Sequence, residues 1–335
     1  MLRSLFTRLK SGTEYLNYGR DIIRHWGADL YEESEASAGL EAFRVLDLGC
    51  GHGEDLRNIR AEVEERAEAE GERNSVSLLV TPRVELHGVE GYAPYVAECR
   101  AAGIQTHALN IERDPFPGPS ASYDLIVANQ ILEHTKEIFW IFAEVARLLK
   151  PGGRFIAGVP NLASFHNRLL LMFGQQPTQI KSMSAHVRGF TKPDMREFAE
   201  TGGLFRLIGF RGSNFYPLPP FLSKPLARLF PTLAWGSFYL LERTEADGDF
   251  LKCLTGDDNF LETPFYGSPQ NPAPTRRASG GPASRKSTGS SKKAGAKKTS
   301  ALPSKKKTAK AGASRSKKKP ASAAAKKKKK AGARR

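Results

Sequence analysis

The chain has 335 residues, and its 51 Lys and Arg outnumber its 35 Asp and Glu, so its formal net charge is +16. Its three cysteines, Cys50, Cys99 and Cys253, are scattered and odd in number, which excludes a disulfide framework and predicts a reducing compartment, the cytoplasm. No apolar run has the length of a transmembrane helix and no secretory signal pattern is present, so we expect neither a membrane-spanning nor a secreted protein.

Residues 1–39 predict a helical extension before the main domain. In residues 1–10 the apolar side chains share one helical face and the basic ones lie elsewhere: Leu2, Leu5, Phe6 and Leu9 against Arg3, Arg8 and Lys10. Such a segment can lie on a membrane, serve as a transit peptide or pack against the domain. Residues 13–27 also have helical spacing, and we expect that helix to pack over the mouth of the site that follows.

Residues 45–53 combine an apolar run, the acid Asp47 and glycines at positions 49, 51 and 53. This pattern predicts a strand that turns sharply into a helix and leaves its backbone bare for a ligand. A dinucleotide fingerprint would place its third glycine at position 54, where Glu54 and Asp55 instead supply carboxylates that would repel a pyrophosphate. S-adenosylmethionine carries a sulfonium and an ammonium and no phosphate, so an acid-rich turn suits it.

Further apolar runs predict four more strands, most of them with polar residues at their ends: 84–90 ending in Glu90, 104–109 before Asn110 and Ile111, 123–130 with Asn129, and 154–159. Residues 136–150 predict a helix that the following Pro-Gly-Gly ends. The charged residues 60–73 either lengthen the first helix after the glycine turn or form a surface insertion.

Residues 47–53, Asp-Leu-Gly-Cys-Gly-His-Gly, resemble motif I of the class I S-adenosylmethionine-dependent methyltransferases, type 11 and type 23 domains among them. The later runs follow in that family's order, and the resemblance covers about residues 40–243. It implies an α/β, Rossmann-like sheet of seven strands, mostly parallel, with an antiparallel C-terminal hairpin formed by residues 205–210 and 234–241. Residues 244–270 are then a linker.

The resemblance also implies S-adenosylmethionine as the cofactor. It assigns cofactor binding to Asp47, Gly49, Cys50, Gly51, Gly53, Glu90, Asn110, Ile111 and Asn129. In this family the acid after the second strand binds the ribose hydroxyls, and the residues after the third strand contact adenine. Asn110 stands where an Asp is common, and its amide can still bind the adenine edge.

Two histidines are candidates for catalysis. His134 follows the fourth strand and His186 precedes the helix predicted over residues 192–201; each can act as a general base near neutral pH, or serve in packing and capping. The other five histidines have no metal-ligand spacing, so no metal site is predicted. Residues 215–231, rich in Pro, Phe and Leu, form either an apolar lip for a lipid-like or aromatic acceptor or a connection packed on the sheet.

Residues 271–335 differ sharply from the rest. They hold 23 Lys and Arg and no acid, so the remainder, with 28 Lys and Arg against 35 acids, carries −7. With no aromatic residue and one large aliphatic side chain, this tail is predicted to be disordered. In composition it resembles the tails of linker histones and bacterial histone-like proteins. Such a tail can bind nucleic acid or another polyanion, contact an anionic membrane, keep the protein soluble or serve as a nuclear address. A location at the nucleoid or the inner membrane surface therefore stays open.

Three functions follow from these patterns. The first is methyl transfer to a small-molecule, glycan or lipid-precursor acceptor. The second is methylation of a nucleic acid held by the tail, and the third is a non-enzymatic binder on a methyltransferase scaffold. The acidic balance of residues 1–270 favours the first, because an enzyme acting on RNA usually surrounds its site with basic residues.

Overall fold

The computed structural model describes residues 19–38, 41–74 and 82–251, all of which belong to the first of two units, Met1–Arg276. The second unit, Arg277–Arg335, lies outside the described residues, as do residues 1–10 and Cys253. Among the described residues, no helix combines the length and the apolar character needed to cross a membrane.

Helices and strands alternate through most of the described chain. The helices are α1 (Arg20–Glu32), α2 (Glu54–Asn74), α3 (Ala93–Ala101), α4 (Ile138–Leu148), α5 (Phe165–Met172), α6 (Lys192–Glu200) and α7 (Pro220–Leu229). The strands are β1 (Phe43–Leu48), β2 (Val84–Val89), β3 (Gln105–His107), β4 (Tyr123–Asn129), β5 (Leu149–Pro160), β6 (Phe205–Ser213) and β7 (Gly236–Arg243).

The strands form one seven-stranded sheet in the order β3-β2-β1-β4-β5-β7-β6. The first five strands in that order pair in parallel, for example Asp47 with Gly88 and with Val127. Strand β7 is antiparallel to both β5 and β6. The predicted seven-stranded α/β sheet with an antiparallel C-terminal hairpin is therefore confirmed.

Helices cover both faces of the sheet, and because side chains alternate along each strand, neighbouring residues of one strand enter two different cores. On β1, Leu46 and Leu48 join one core with helix α4, whose Phe142 is fully buried. Val45 joins the other core, with Trp26 of α1 and Ile59 of α2. Parallel strands with helices on both faces put the ends of β1, β4 and β5 at one edge of the sheet, where ligands bind in this architecture.

The charged stretch after the glycine turn lengthens the first helix. Helix α2 runs for 21 residues, and Arg66 on it pairs with Asp29 of α1 at 2.8 Å and with Glu62 at 2.9 Å. Of the two alternatives for residues 60–73, the structure has the longer helix. Past β7, Phe250 is buried among the rings of Phe142 and Phe198, so the start of the segment assigned to the linker packs in the core.

Candidate active site

The glycine turn closes over the end of β1. The amides of Gly49 and Cys50 both donate to the carbonyl oxygen of Val89 on β2, at 2.8 and 3.1 Å, and the amide of Gly53 donates to the carbonyl of Cys50 at 2.7 Å. All three turn glycines have positive φ, 71° at Gly49, 52° at Gly51 and 72° at Gly53, a region that side chains disfavour. The turn therefore depends on glycine at each of these positions.

The turn glycines differ in how much room a side chain would have at each position. A Cβ at Gly53 would lie 2.3 Å from the side chain of Ile104, so this glycine lets the turn pack on the strand layer beneath it. A Cβ at Gly51 would meet nothing within 4 Å. The bare backbone at Gly51 thus faces open space, as a ligand surface requires.

Glu90 ties the end of β2 to this turn. Its Oε2 accepts from the amide of Gly51 at 3.0 Å, and its Oε1 accepts from the amide of Tyr92 at 2.7 Å. A carboxylate has about four acceptor positions, so two remain for further donors such as hydroxyl groups. Glu90, the residue predicted to bind the ribose, is therefore held in place by the backbone amides of Gly51 and Tyr92.

A cavity of about 230 Å³ lies beside the turn. Five of the predicted cofactor residues line it: Asp47, Gly49, Cys50, Gly51 and Asn129. Five residues outside that prediction line it as well: Arg20, His52, Glu54, Asp55 and Gln130. A larger cavity of about 830 Å³, between α1, α7 and the end of β6, contains none of the predicted site residues, so we place the site at the smaller cavity on the chemistry of its lining.

Acids dominate the electrostatics of this cavity. Asp47 is buried, and its pKa is raised well above the ordinary value, first by burial and then by the charges of Asp55 and Glu90. Burial also raises the pKa of Asp55, against a hydrogen bond of 2.9 Å from the amide of Asn129. Arg20 partly offsets the charge, with its guanidinium 2.6 Å from Glu54 and 3.6 Å from Asp55. Crowded carboxyls of this kind suit a cationic ligand.

The two described cysteines are not reactive thiols. Cys50 and Cys99 are buried and free, with their sulfur atoms 4.0 Å apart. Burial, with further contributions from Asp47 and Cys99, raises the pKa of the Cys50 thiol. A protonated thiol at this position serves as a small apolar lining rather than a nucleophile.

Asn110 and Ile111 follow β3 but do not line this cavity. The Asn110 side-chain oxygen accepts from the amide of Glu112 at 2.9 Å, and its backbone amide donates to Asp114 at 2.8 Å. Ile111 packs against the core below. Both the side chain and the backbone amide of Asn110 therefore form hydrogen bonds within the loop after β3. The contact of Asn110 with adenine stays a prediction.

His134 and His186 meet at the same edge of the sheet. Their rings are 4.6 Å apart, edge to face, because the amide of Val187 donates to the carbonyl of Glu133 at 2.8 Å. Arg188 adds two bonds from its guanidinium to the carbonyls of Thr135 and Lys136, at 3.0 and 2.8 Å. The segment around His186 is therefore fastened to the loop after β4.

Glu133 completes this cluster. Its carboxyl is buried, which raises its pKa to about 7. Burial, and then the neighbouring His134, lower the pKa of His186, so its imidazole is neutral at pH 7. One donor atom from each of Glu133, His134 and His186 lies within 4.8 Å of the others, a set that could hold a divalent metal or pass a proton.

The comparison with known families bears on this geometry. A family model described as a methyltransferase domain matches residues 9–204. The chain belongs to this family of methyltransferase domains. S-adenosylmethionine is its cofactor, and the carboxyls of Asp47, Asp55 and Glu90 fit that cationic molecule.

Individual relatives are distant. The chain is 28% identical over 195 residues to a ubiquinone biosynthesis O-methyltransferase of Burkholderia thailandensis, covering 55% of this chain and 73% of that protein. It is 25% identical over 144 residues to an uncharacterized protein of a Streptomyces fradiae transposon, covering 42% of this chain and 36% of that protein's length. A solved S-adenosylmethionine-dependent methyltransferase of Mesorhizobium loti is 17% identical, covering 63% of this chain and 97% of its own, with a TM-score of 0.40.

Two parts of the site have only an indirect signal in the sequence: the spacing of residues 13–27 predicts a helix over the mouth of the site but not which of its residues enters the cavity. Arg20 reaches the cavity from α1, far before the glycine turn. Glu133 and His186 are brought together by a backbone bond between distant segments. An acid next to His134 in a Leu-Glu-His run is the one local signal that could have pointed to Glu133.

Proposed function

We propose that the chain transfers a methyl group from S-adenosylmethionine to an oxygen atom of a small-molecule, glycan or lipid-precursor acceptor. The observation that carries the proposal is the acid-lined cavity beside the glycine turn, at the edge where Glu133, His134 and His186 also lie. Transfer to oxygen is supported by distant relatives named as ubiquinone biosynthesis and fatty-acid O-methyltransferases.

In this proposal the residues of the turn hold and orient the cofactor. Asp47 and Asp55 offset its positive charge, and Glu90 accepts from its ribose hydroxyls while the amides of Gly51 and Tyr92 keep the carboxylate fixed. Gly49, Cys50, Gly51 and Asn129 would form the wall against which it lies, with Gly53 allowing the turn to close. We keep Asn110 and Ile111 as the proposed adenine contacts. The cofactor supplies an already activated methyl group, so the protein contributes mainly alignment.

The histidine pair would handle the acceptor's proton. His186 is neutral at pH 7 because its pKa is lowered, so its imidazole can accept a proton from a hydroxyl as that oxygen is methylated. His134, 4.6 Å from it between ring centres, offers a second imidazole. An acceptor that is already anionic needs neither.

The acceptor's acidity gives a direct test. A fatty acid such as dodecanoate presents an ionised oxygen at pH 7, whereas a phenol does not. We expect the full-length protein to transfer labelled methyl from S-adenosylmethionine to at least one of these probes. If labelled methyl goes to RNA and to neither probe, the nucleic-acid alternative is correct instead.

The basic tail enters the proposal only through its composition. Its 23 cations without an acid favour binding to nucleic acid or another polyanion by counterion release. We propose that it localises the enzyme, which acts in the cytoplasm, and does not supply the acceptor site. The acidic balance of the remaining residues supports that separation.

A further inference from the structure

Large apolar side chains stand exposed on helices α5 and α7 and directly after them. On α7, Phe221 is 74% exposed and Leu229 is 70% exposed; after α5, Phe173 is 61% exposed. We call the following set the apolar face: Phe165, Leu171, Met172, Phe173, Phe221, Leu222, Leu229 and Phe230. Contiguous exposed apolar surface of this kind marks an interaction site.

The helices that carry the apolar face are linked near their starts. The ring of Phe165, at the start of α5, lies 6.0 Å from the ring of Phe215, just before α7. The amide of Phe215 in turn donates to the hydroxyl of Ser223 on α7. A second pair of rings, His166 and Tyr216, is 5.0 Å apart. The start of α5 and the start of α7 therefore meet at one junction, and the exposed side chains lie on the two helices that leave it.

Charge is distributed unevenly around this face. Residues 161–191, which carry α5, and residues 214–235, which carry α7, contain no Asp or Glu. They contain five cations: Arg168, Lys181, Arg188, Lys224 and Arg228. Because Arg188 is bound to loop carbonyls and Lys224 lies 3.4 Å from Asp21 of α1, the charge available to an outside anion is carried mainly by the other three. The net charge of −7 on residues 1–270 is thus carried by other parts of the domain. Basic residues interleaved with exposed Phe, Leu and Met are typical of surfaces that bind anionic membranes.

A second copy of the chain fits this face less well. A twofold contact places the same patch on both partners, so two patches that each carry an excess of cations would face each other, with Asp21 of α1, 3.4 Å from Lys224, as an acid at the edge of each. A bilayer with anionic headgroups satisfies both the cations and the apolar side chains at once.

We propose that the apolar face docks on an anionic lipid bilayer, with its Phe, Leu and Met side chains in the headgroup region and its cations against lipid phosphates. Helices α5 and α7 follow the ends of β5 and β6, at the sheet edge that also carries the cofactor cavity. Docking would therefore bring that edge to the membrane surface, where a lipid acceptor could enter directly. The docking itself does not depend on the proposed methyl transfer.

The experiment is co-sedimentation of the full-length protein with vesicles of phosphatidylglycerol and phosphatidylcholine in equal parts. The basic tail also binds such vesicles, so binding is measured at about 0.5 M NaCl, where charge interactions are screened beyond a few ångströms. The test variant is the double substitution Phe173→Ser and Phe221→Ser. The matched control is Ile208→Ser, which alters an exposed apolar residue of the edge strand β6 outside the apolar face.

We expect the wild-type protein and Ile208→Ser to bind equally, and the double variant to bind at least about tenfold more weakly with an unchanged melting temperature. At lower salt, Arg228→Glu should weaken binding to these vesicles and not to pure phosphatidylcholine. The proposal is overturned if all forms lose binding together at high salt, since the tail alone then holds the vesicles. It is also overturned if sedimentation equilibrium shows a dimer that the double variant dissociates. Calorimetric binding of S-adenosylmethionine to the same variants tests the cofactor site separately.

Discussion

Replacing Asp47 by Asn should move stability and cofactor affinity in opposite directions. The Asp47 carboxyl is buried, and Asp55 and Glu90 add like charge, so its pKa lies well above the ordinary value of Asp. In the cofactor-free protein the negative charge of Asp47 destabilises the fold, whereas in the complex the same charge attracts the cationic cofactor. Asn has nearly the same shape and no charge.

The magnitudes follow from these surroundings. A buried group whose charge is poorly compensated costs about 1–3 kcal/mol, and recovering about 1 kcal/mol raises the melting temperature of a domain of this size by about 2–4 °C. Since the folded-state pKa is raised, the destabilisation is full at pH values above it, shrinks as the pH falls below it, and disappears below the ordinary pKa of Asp. The gain from Asp47→Asn should therefore be larger at pH 8 than at pH 5.

Losing a charged partner of the cofactor costs about 1.5–3 kcal/mol, so S-adenosylmethionine should bind about 10–100-fold more weakly to Asp47→Asn. Scanning calorimetry gives the melting temperature and isothermal titration gives the affinity. The matched control is Glu64→Gln, which removes one acid from the exposed side of α2 and should change neither. A lower melting temperature with unchanged affinity would mean that Asp47 is a structural residue, and the reasoning would be wrong.

Three other variants test separate parts of the account. Gly53→Ala should lower the unfolding free energy, measured in urea titrations, by about 1–3 kcal/mol. The loss should exceed that of Gly103→Ala, because both glycines have positive φ but only the Cβ at position 53 would clash, 2.3 Å from Ile104. Equal losses in the two variants would exclude the packing explanation. His186→Gln should slow methylation of a phenol about 100-fold and leave that of a fatty acid nearly unchanged, and an equal effect on both would assign His186 to positioning. Deleting residues 271–335 should leave activity on a small acceptor intact, whereas a large, salt-dependent loss would indicate a nucleic-acid substrate.

The local parts of the site were predictable from the sequence. Short patterns of apolar and small residues predict the glycine turn and Glu90 at the ends of two strands. The parallel pairing of β1 with β2 then brings the turn and Glu90 together. The strand pattern of the sheet followed from runs of apolar residues in the same way. These features depend on short-range sequence and on the general rules of parallel sheets.

The parts that depend on tertiary contacts were not predictable. The spacing of residues 13–27 predicts a helix over the mouth of the site, but Arg20 enters the cavity because α1 packs against α2, and no spacing identifies Arg20 as the residue that does so. Strand β5 begins at Leu149 rather than at Arg154, because Leu149 pairs with Tyr123 and the intervening Pro-Gly-Gly is accommodated as an irregularity in the ladder. His186 meets His134 through the backbone bond from Val187 to Glu133 and the two bonds of the Arg188 guanidinium.

Binding of S-adenosylmethionine to the full-length wild-type protein tests the central claim most directly. Isothermal titration should give a dissociation constant on the order of micromolar, within the usual range for enzyme ligands. Glu90→Gln should weaken this binding, because one of the two backbone amides that the carboxylate accepts from, those of Gly51 and Tyr92, would then face a side-chain NH₂ group. Binding of this kind would establish the acid-lined turn as the cofactor site. A folded protein that binds no S-adenosylmethionine would contradict the account and leave the domain as a scaffold.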